Sequence, residues 1–252
     1  MAADGLLGLF DRTFVINLPH RLDRRRHIQA QLGRPGVDAS PSLLASRVEF
    51  VQAIRPTEAD SFRSIGAKGC FLSHLSVLKA AATSALDSVL VLEDDAEFGN
   101  DTLLAVASLE AALSHHEWGV VQLGHQGGPP APVGPAGWNL VPFRGEVTGL
   151  HCYAVHRRAV EPLIEHFERQ LVGEPGDPVY GPMDADGTVN TFSWVRKDVQ
   201  RHLLVPSICR QVESRSDITT GRWDTVPGTH GFLRLVRRAR RTLRTRAAAP
   251  RS

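Results

Sequence analysis

The best-known motifs for binding phosphate or activating a nucleophile are absent from this 252-residue sequence. It contains no GxxxxGK phosphate loop, no GxGxxG fingerprint, no GxSxG nucleophile elbow and no HExxH metalloprotease helix. These absences exclude the commonest nucleotide-binding and hydrolase devices. Any nucleotide site in this chain must therefore use a different arrangement of side chains.

Cysteine is also scarce, with only Cys70, Cys152 and Cys209 in the chain. They lie far apart and form no CxxC pair, so the sequence indicates neither a zinc knuckle nor a disulfide framework. This use of cysteine favours a reducing compartment.

Long hydrophobic runs are missing too, because no stretch approaches the roughly 20 apolar residues of a membrane-spanning helix. The opening segment "MAADGLLGLFDRTF" has Asp4 where a signal peptide would carry basic residues. We therefore expect a cytoplasmic protein. A hydrophobic content of 42% is ordinary for a globular chain with a sizeable core.

Acidic residues are absent from the final segment, "LRLVRRARRTLRTRAAAPRS", which carries eight arginines. Removing those eight charges from the formal net charge of +2 leaves about −6 for the rest of the chain. Apolar residues recur every three or four positions from Phe232 to Leu243, which predicts a basic amphipathic helix that ends before Pro250. We therefore divide the chain into a domain, 1–230, and a basic tail, 231–252.

The tail allows three interpretations. It can lie on an anionic membrane surface, which would place the protein peripherally on the inner face of the membrane. It can be a solvated tail with no partner. It can also bind nucleic acid, but the rest of the chain is acidic and has no recognition helix or aromatic stacking module, so we expect no nucleic-acid partner.

The hydrophobic pattern of the first half alternates between the two kinds of secondary structure. Short apolar runs predict strands, and segments with helical spacing predict the helices between them. The predicted strands are 13–17, 47–54, 88–93 and 119–123, and the predicted helices follow "LPHR" and cover 66–86 and 101–114. This alternation predicts an α/β sandwich with a mostly parallel central sheet.

The second half is less regular. The stretch "HQGGPPAPVGPAGWN" is too rich in glycine and proline for regular structure, so we expect a surface loop or lid there. A strand is predicted at 149–156, and a helix interrupted at Pro162 should follow it. "TVNTFSWVRK" is typical of a helix, and "HLLVPSI" of an extended segment.

Three acidic residues follow the apolar run in "VLVLEDDAEF" (89–98). In an α/β sheet, ligands collect at the carboxyl ends of the strands. If the strand geometry continues, Glu93 and Asp95 point to one side and Asp94 to the other, so that two carboxylates can share Mg²⁺ or Mn²⁺. The alternative is a solvated turn after the strand.

Two further segments carry polar side chains that could act in a site. In "NLPHRLDRR" (17–25), Arg21 and Arg24 lie one helical turn apart and could hold a phosphate, although a solvated basic face explains them as well. In "GCFLSH", Cys70 and His74 could bind a metal. Two ligands are too few, however, so we favour a packed cysteine beside a hydrogen-bonded histidine.

Taken in order, "FVINLPHRLDRR", "GAKGCFLSHLSVLKAA" and "VLVLEDDAEF" resemble glycosyltransferase family 25, which includes lipopolysaccharide β-galactosyltransferases and collagen galactosyltransferases. The later stretches "GLHCYAVHRRAVEPLI" and "PSICRQVESRSDIT" resemble the family more loosely. The resemblance spans about residues 13–220.

This resemblance implies a GT-A-like, nucleotide-binding sandwich and an inverting, metal-dependent transfer. The sugar, galactose or another hexose, would come from a UDP-sugar and go to a glycan or a lipid-linked acceptor. The cofactor would be Mn²⁺ or Mg²⁺. The loop "HQGGPPAPVGPAGWN" departs from the wider family, so we expect it to affect the choice of acceptor.

The family's functional residues can be transferred to matching positions. Glu93 and Asp95 take the places of a DxD-type metal-binding pair, with Asp95 in direct contact with Mn²⁺ and Glu93 in contact through water or with the sugar. The residues that the resemblance places near the donor nucleotide are Asn17, Arg21, Asp23, Arg24, Ser73, His74, Glu93 and Asp94.

Inversion requires a base on the acceptor side to take the hydroxyl proton. Loop aspartates are the candidates, namely Asp184, Asp186 and Asp217, and we favour Asp184. An ordinary turn explains "DADG" equally well. By analogy with cation-binding GT-A enzymes, His151 or His230 could complete the metal site.

Two rival functions are a non-catalytic family relative that binds a partner and a nucleic-acid-binding protein that acts through its tail. The intact Glu93–Asp95 triplet argues against the first of these. Transfer of a sugar from a UDP-sugar would exclude both.

Overall fold

The computed structural model describes residues 5–37, 40–129 and 137–212. The candidate residues Asp217 and His230, the predicted boundary at residue 230 and the basic tail lie outside these ranges. The helices and strands, in chain order, are α1 (Gly5–Gly8), β1 (Arg12–Asn17), α2 (Leu22–Leu32), α3 (Pro41–Arg47), β2 (Val48–Gln52), α4 (Ile65–Ala82), β3 (Ser88–Glu93), β4 (Ala96–Phe98), α5 (Thr102–His115), β5 (Val120–Gln126), β6 (Asn139–Pro142), β7 (Thr148–His156), α6 (Arg157–Leu171), α7 (Ala185–Val195), β8 (Arg201–Val205) and β9 (Cys209–Gln211).

The strands form one sheet in the order β2-β1-β3-β7-β5-β8-β6, with β9 beside β5 and β4 beside β9. β1 pairs in parallel with both β2 and β3, and β5 pairs in parallel with β8 and β9. β7 runs antiparallel between β3 and β5, and β6 runs antiparallel to β8. Most strands therefore point the same way, which confirms the predicted α/β sandwich with a mostly parallel sheet.

Helices cover both faces of the sheet because successive side chains of its strands point to opposite sides. In β1, Val15 packs in a core with residues of α2 and α5, whereas Phe14 and Ile16 pack in a second core with residues of α4 and α6. β3 is buried at each of its four central positions, as its continuous apolar run predicts.

The predicted interruption of a helix at Pro162 is wrong. α6 runs from Arg157 to Leu171 without a break and contains Pro162 in its second turn. The missing proline N–H removes one backbone hydrogen bond. Buried side chains on both sides of the proline, including Val160 and Leu163, keep the helix packed against the sheet.

The glycine- and proline-rich stretch separates β5 from β6, as expected of a connection, and residues 130–136 within it lie outside the described ranges. None of the described helices is both long enough and apolar enough to cross a bilayer.

Candidate active site

The acidic triplet lies at the carboxyl edge of the sheet, where β1 and β3 end side by side. Ile16 pairs with Glu93, so the next residue of β1, Asn17, comes close to Asp94. The chain turns after Glu93 and enters β4 at Ala96. Asp94 and Asp95 are each only 5% exposed. They are therefore not the freely solvated turn residues of the alternative interpretation.

Asp94 points toward β1 and α2. The Asn17 amide Nδ2 donates to Asp94 Oδ2 over 2.8 Å, and Arg24 donates to Asp94 Oδ1 over 2.9 Å. The same guanidinium lies 3.2 Å from Asp95 Oδ2. Arg24 thus compensates two carboxylates at once and attaches the start of α2 to the end of β3.

Arg21 and Arg24 engage different carboxylates. Arg21 forms two hydrogen bonds with Asp23, of 3.0 Å and 2.8 Å, and holds the pKa of Asp23 well below its usual range. The structure therefore shows Arg24 in the acidic site, whereas Arg21, which precedes α2, pairs with the exposed Asp23. Their role in holding a phosphate stays a prediction.

Glu93 points toward α4. His74 Nε2 lies 3.1 Å from Glu93 Oε1, the Cys70 thiol lies 3.9 Å from the same oxygen, and the other His74 nitrogen, Nδ1, lies 3.0 Å from the Tyr153 hydroxyl. Burial acts to raise the pKa of Glu93, but the hydrogen bond with His74 and the charges of His151 and Arg24 lower it below its usual value. Glu93 is therefore ionised at neutral pH.

Asp95 lies on the same side as Glu93, as the strand geometry predicts. The Gln211 amide of β9 reaches both residues, at 3.3 Å from Glu93 Oε2 and 3.2 Å from Asp95 Oδ2. Burial and the negative charge of Glu93 raise the pKa of Asp95 to about 7. The site thus holds more negative charge than Arg24 neutralises.

Ser73 is engaged within the protein backbone. Its hydroxyl donates to the Gly69 carbonyl over 2.6 Å and accepts from the Ile54 N–H over 2.8 Å. It attaches the segment after β2 to α4, next to His74. The contact of Ser73 with a nucleotide stays a prediction.

His151 lies on β7, fully buried, and its Nε2 donates to the Cys209 carbonyl over 3.0 Å. Burial acts to lower the pKa of His151, but its contacts with Cys209 and the charge of Glu93 raise it to about 8. Its Nδ1 has no hydrogen-bond partner among the described residues. A role as a metal ligand stays a prediction.

The two described base candidates flank the start of α7. Asp184 forms an ion pair of 2.7 Å with Arg63, and its side chain is 40% exposed. Asp186 accepts from the Gly149 N–H over 2.9 Å and from the Gly187 N–H over 2.8 Å. Asp184 is thus the more accessible, whereas Asp186 is held by backbone donors.

The sequence reasoning missed two residues that complete this site. Gln211 bridges Glu93 and Asp95, and Tyr153 holds His74. Gln211 and Tyr153 both occur in stretches that resemble the family. Nothing in the local pattern indicates that β9 and β7 bring these two side chains to the end of β3.

The described residues thus define an α/β sandwich with a buried acidic site at the carboxyl edge of its sheet. Residues 10–125 match the model of glycosyltransferase family 25 (LPS biosynthesis protein). This match confirms the predicted resemblance to that family of glycosyltransferases. It covers α2, α4 and the acidic triplet, but not Tyr153, Asp184 or Gln211.

Several curated proteins are similar to the same part of the chain. Procollagen galactosyltransferase 2 of Homo sapiens is 32% identical over 101 residues, which cover 35% of this chain and 16% of that protein. The glycosyltransferase 25 family member of Drosophila melanogaster is 30% identical over 100 residues, with coverages of 35% and 16%. Inactive glycosyltransferase 25 family member 3 of Homo sapiens is 34% identical over 102 residues, with coverages of 35% and 17%.

The aligned segment thus spans about one sixth of the length of these relatives, 16% for the first two. Among solved structures, a glycosyltransferase involved in the glycosylation of the major capsid of PBCV-1 aligns with 81% of this chain and 93% of its own, with 12% identity and a TM-score of 0.49. Similarity at that level carries no information about function.

Proposed function

We propose that this chain is a metal-dependent, inverting glycosyltransferase that transfers galactose or another hexose from a UDP-sugar to a glycan or lipid-linked acceptor. One observation carries the proposal. In a segment that matches a glycosyltransferase family, Glu93 and Asp95 converge at the end of β3, and burial together with the charge of Glu93 raises the pKa of Asp95.

The carboxylates suit a hard divalent cation. Within the described ranges, Arg24 contacts Asp94 and Asp95, and Glu93 lies beside them. Burial and the negative charge of Glu93 raise the pKa of Asp95. Mn²⁺ and Mg²⁺ prefer such oxygen ligands. In our proposal Asp95 contacts the ion directly, and Glu93 contacts it through water or contacts the sugar. The bound ion would neutralise the charge on the departing diphosphate.

A surface pocket supports the position of the donor nucleotide. It is lined by residues 18–20 and 52–55, which lie at or just beyond the carboxyl ends of β1 and β2. The Ala53 N–H donates to the Asn17 carbonyl over 3.0 Å, so this pocket adjoins the residue that holds Asp94. We propose that the nucleoside binds here, with its diphosphate directed toward Asp95.

Asp184 is the proposed base. Burial is the main cause of the raised pKa of the Cys70 thiol, followed by the negative charges of Glu93, Asp186 and Asp184. Because the two aspartates act on Cys70, the start of α7 lies near α4 and Glu93. The exposed carboxylate of Asp184 would take the proton of the acceptor hydroxyl as its oxygen attacks the anomeric carbon. Asp217 remains an untested candidate for the same role.

A donor screen with purified protein tests the proposal. UDP release from a panel of UDP-hexoses should require Mn²⁺ and should be lost in Asp95→Ala. Glu97→Gln is the matched control, because Glu97 lies two residues further on and pairs with the exposed Arg210. Full activity of Asp95→Ala in EDTA would contradict the metal assignment.

A second pair of variants tests the base. Asp184→Asn should lower kcat by about 10²- to 10⁴-fold, the usual contribution of a general base. Arg63→Ala removes the same ion pair but leaves the carboxylate in place, so it should retain most activity. If both variants lose activity equally, the ion pair matters and the proton transfer must be assigned elsewhere.

The existence of relatives named inactive keeps a non-catalytic alternative open. A protein of that kind would bind the nucleotide sugar or a partner without releasing UDP, whatever acceptor is supplied. The predicted cytoplasmic location and the contact of the tail with anionic membrane remain part of the proposal. Binding of the full chain to anionic vesicles, and its loss on deletion of 231–252, would test that contact.

A further inference from the structure

We propose that Cys70, His74 and Glu93 form a second metal site, which is selective for a soft divalent cation of the zinc type. The three ligand atoms, a thiol sulfur, an imidazole nitrogen and a carboxylate oxygen, all lie within 4.8 Å of one another. This site differs in ligand chemistry from the all-oxygen pair proposed to bind Mn²⁺. It does not depend on the proposed transferase activity.

The protein backbone positions these three ligands independently of any metal. Cys70 and His74 are four residues apart in α4, so their side chains lie on the same face of the helix. Glu93 reaches them from the end of β3, which lies against that face. The sequence alone presents only the Cys70–His74 pair, and the sheet supplies the third ligand.

The spacing of the ligand atoms fits tetrahedral coordination. Bond lengths of about 2.0 to 2.3 Å to zinc imply separations between neighbouring ligand atoms of about 3.3 to 3.6 Å. Glu93 Oε1 lies 3.1 Å from His74 Nε2 and 3.9 Å from Cys70 Sγ. These two separations lie within a few tenths of an ångström of the tetrahedral values, and the third, between Cys70 and His74, lies within 4.8 Å, so closing of the Cys70 side chain onto the ion completes the geometry.

Neighbouring groups orient the proposed ligands. The Tyr153 hydroxyl oxygen lies 3.0 Å from His74 Nδ1. When a metal ion displaces the Nε2–H of His74 from Glu93, this oxygen can accept the Nδ1–H of the tautomer that presents a lone pair on Nε2. Gln211 contacts the second oxygen of Glu93 over 3.3 Å and leaves Oε1 to face the other ligands. Tyr153 is fully buried, so this orientation is built into the core.

The donor set decides which ion binds. A thiolate and an imidazole favour zinc-type ions over Mn²⁺ or Mg²⁺, which prefer oxygen. Three protein ligands leave the fourth tetrahedral position for water or another ligand. Glu93 belongs to both proposed sites, so a zinc-type ion at Cys70 and His74 would compete for the carboxylate that serves the Mn²⁺ site.

Cobalt(II) is the probe for the test, because it follows zinc geometry and shows a thiolate-to-cobalt charge-transfer absorption when cysteine is bound. Titration of the full-length chain with Co²⁺, without any sugar donor, should give this absorption and the visible bands of a tetrahedral ion. Zn²⁺ should displace the cobalt, and an equal concentration of Mn²⁺ should not.

Variants locate the ligands. Cys70→Ser should abolish the charge-transfer absorption, while the control Cys209→Ser, at a buried cysteine of β9, should keep it. Tyr153→Phe retains the packing but removes the hydroxyl, and it should weaken Co²⁺ binding by about 10- to 100-fold. Circular dichroism should show that each variant remains folded.

Three results would overturn the proposal. The first is binding of Co²⁺ to the wild-type chain without the thiolate-to-cobalt charge-transfer absorption. This result can be interpreted without any variant. The second is a band that persists in Cys70→Ser or disappears in Cys209→Ser. The third is unchanged affinity in Tyr153→Phe. None of these results bears on the release of UDP from a UDP-sugar, so this proposal and the proposed function can fail separately.

Discussion

Two buried charged clusters in this protein are compensated in opposite ways. Arg201 of β8 is 1% exposed, yet every hydrogen bond that the structure gives its guanidinium goes to a neutral acceptor. Among these acceptors are the Gln122 side chain at 2.8 Å, the Asn190 side chain at 2.9 Å and the Gly145 carbonyl at 3.0 Å. Burial lowers the pKa of Arg201 to about 10.

The acidic cluster at the end of β3 is arranged differently. Glu93, Asp94 and Asp95 lie together, and Arg24 is the cation that contacts two of them. The pKa of Asp95 rises to about 7 because burial and Glu93 oppose its ionisation.

The comparison separates a structural cluster from a candidate functional one. Around Arg201 the protein supplies enough acceptors to hold a charge permanently. Around Asp95 the described part of the chain supplies Arg24, and the proposed Mn²⁺ would compensate the remaining negative charge. A site whose charge is compensated only when a ligand is present is suited to binding that ligand.

The largest expected effect on stability comes from removing Arg201. Arg201→Leu takes the donor away from the Gln122 side-chain oxygen and the Gly145 carbonyl and leaves Asn190 Oδ1 with only the Val147 N–H, so we expect it to lower the free energy of unfolding by about 3 kcal/mol or more. Urea denaturation monitored by circular dichroism measures this change. Arg210→Leu, which removes an exposed cation paired with Glu97, should cost less than about 1 kcal/mol. Equal losses in the two variants would contradict the structural role of Arg201.

The next effect is stabilisation by Mn²⁺. At about 100 times its dissociation constant, a ligand that binds only the folded state adds about 2.7 kcal/mol to the free energy of unfolding. Wild-type protein should gain this amount and show a higher Tm, whereas Asp95→Asn should gain little. Arg201 lies in a separate cluster, so a conservative Arg201→Lys variant should keep the Mn²⁺ response if it folds. Equal stabilisation of wild type and Asp95→Asn would place the ion elsewhere.

The smallest effect is a pH dependence of the metal-free protein. The folded pKa of Asp95, about 7, exceeds the ordinary unfolded value near 4, so the folded state binds the proton more tightly. The contribution of this carboxyl to stability is therefore most favourable below about pH 4 and is lost as the pH rises to about 7. Asp95→Asn should therefore become progressively more stable relative to wild type as the pH rises from 4 to 8.

Denaturation curves of both proteins across this pH range, in EDTA, measure the difference. A difference that does not change with pH would show that the Asp95 carboxyl titrates normally in the folded state. That result would remove the contrast with Arg201, because the charge of the acidic cluster would then also be compensated without an added metal ion.

Long segments with strong periodicity were predictable from the sequence. β3 is observed at Ser88–Glu93, the predicted range, and α4 covers Ile65–Ala82, where a helix was predicted over 66–86. Short elements such as α1, of four residues, and β4, of three, were not predicted. Segments of that length carry too little pattern, and their stability comes from packing against the rest of the fold.

The candidate site divides in the same way. Local sequence places Glu93, Asp94 and Asp95 at the end of a strand. A buried strand must stop where its apolar residues give way to acidic ones. The different surroundings of Glu93 and Asp94 do not follow from the local sequence. Some of these contacts join side chains that are far apart in sequence, such as Asn17 with Asp94 and Gln211 with Glu93. They form only when the paired strands bring their ends together.

The chemistry of this site therefore has two origins. Local sequence established which side chains are available, and the order β1, β3, β7 and β5 in the sheet decided which of them meet. Cys70 and His74 illustrate this division, since helical spacing alone places them on one face of α4. Only the packing of α4 against β3 adds Glu93, because electrostatic and coordination contacts act over a few ångströms and the chain separates these residues by about twenty positions.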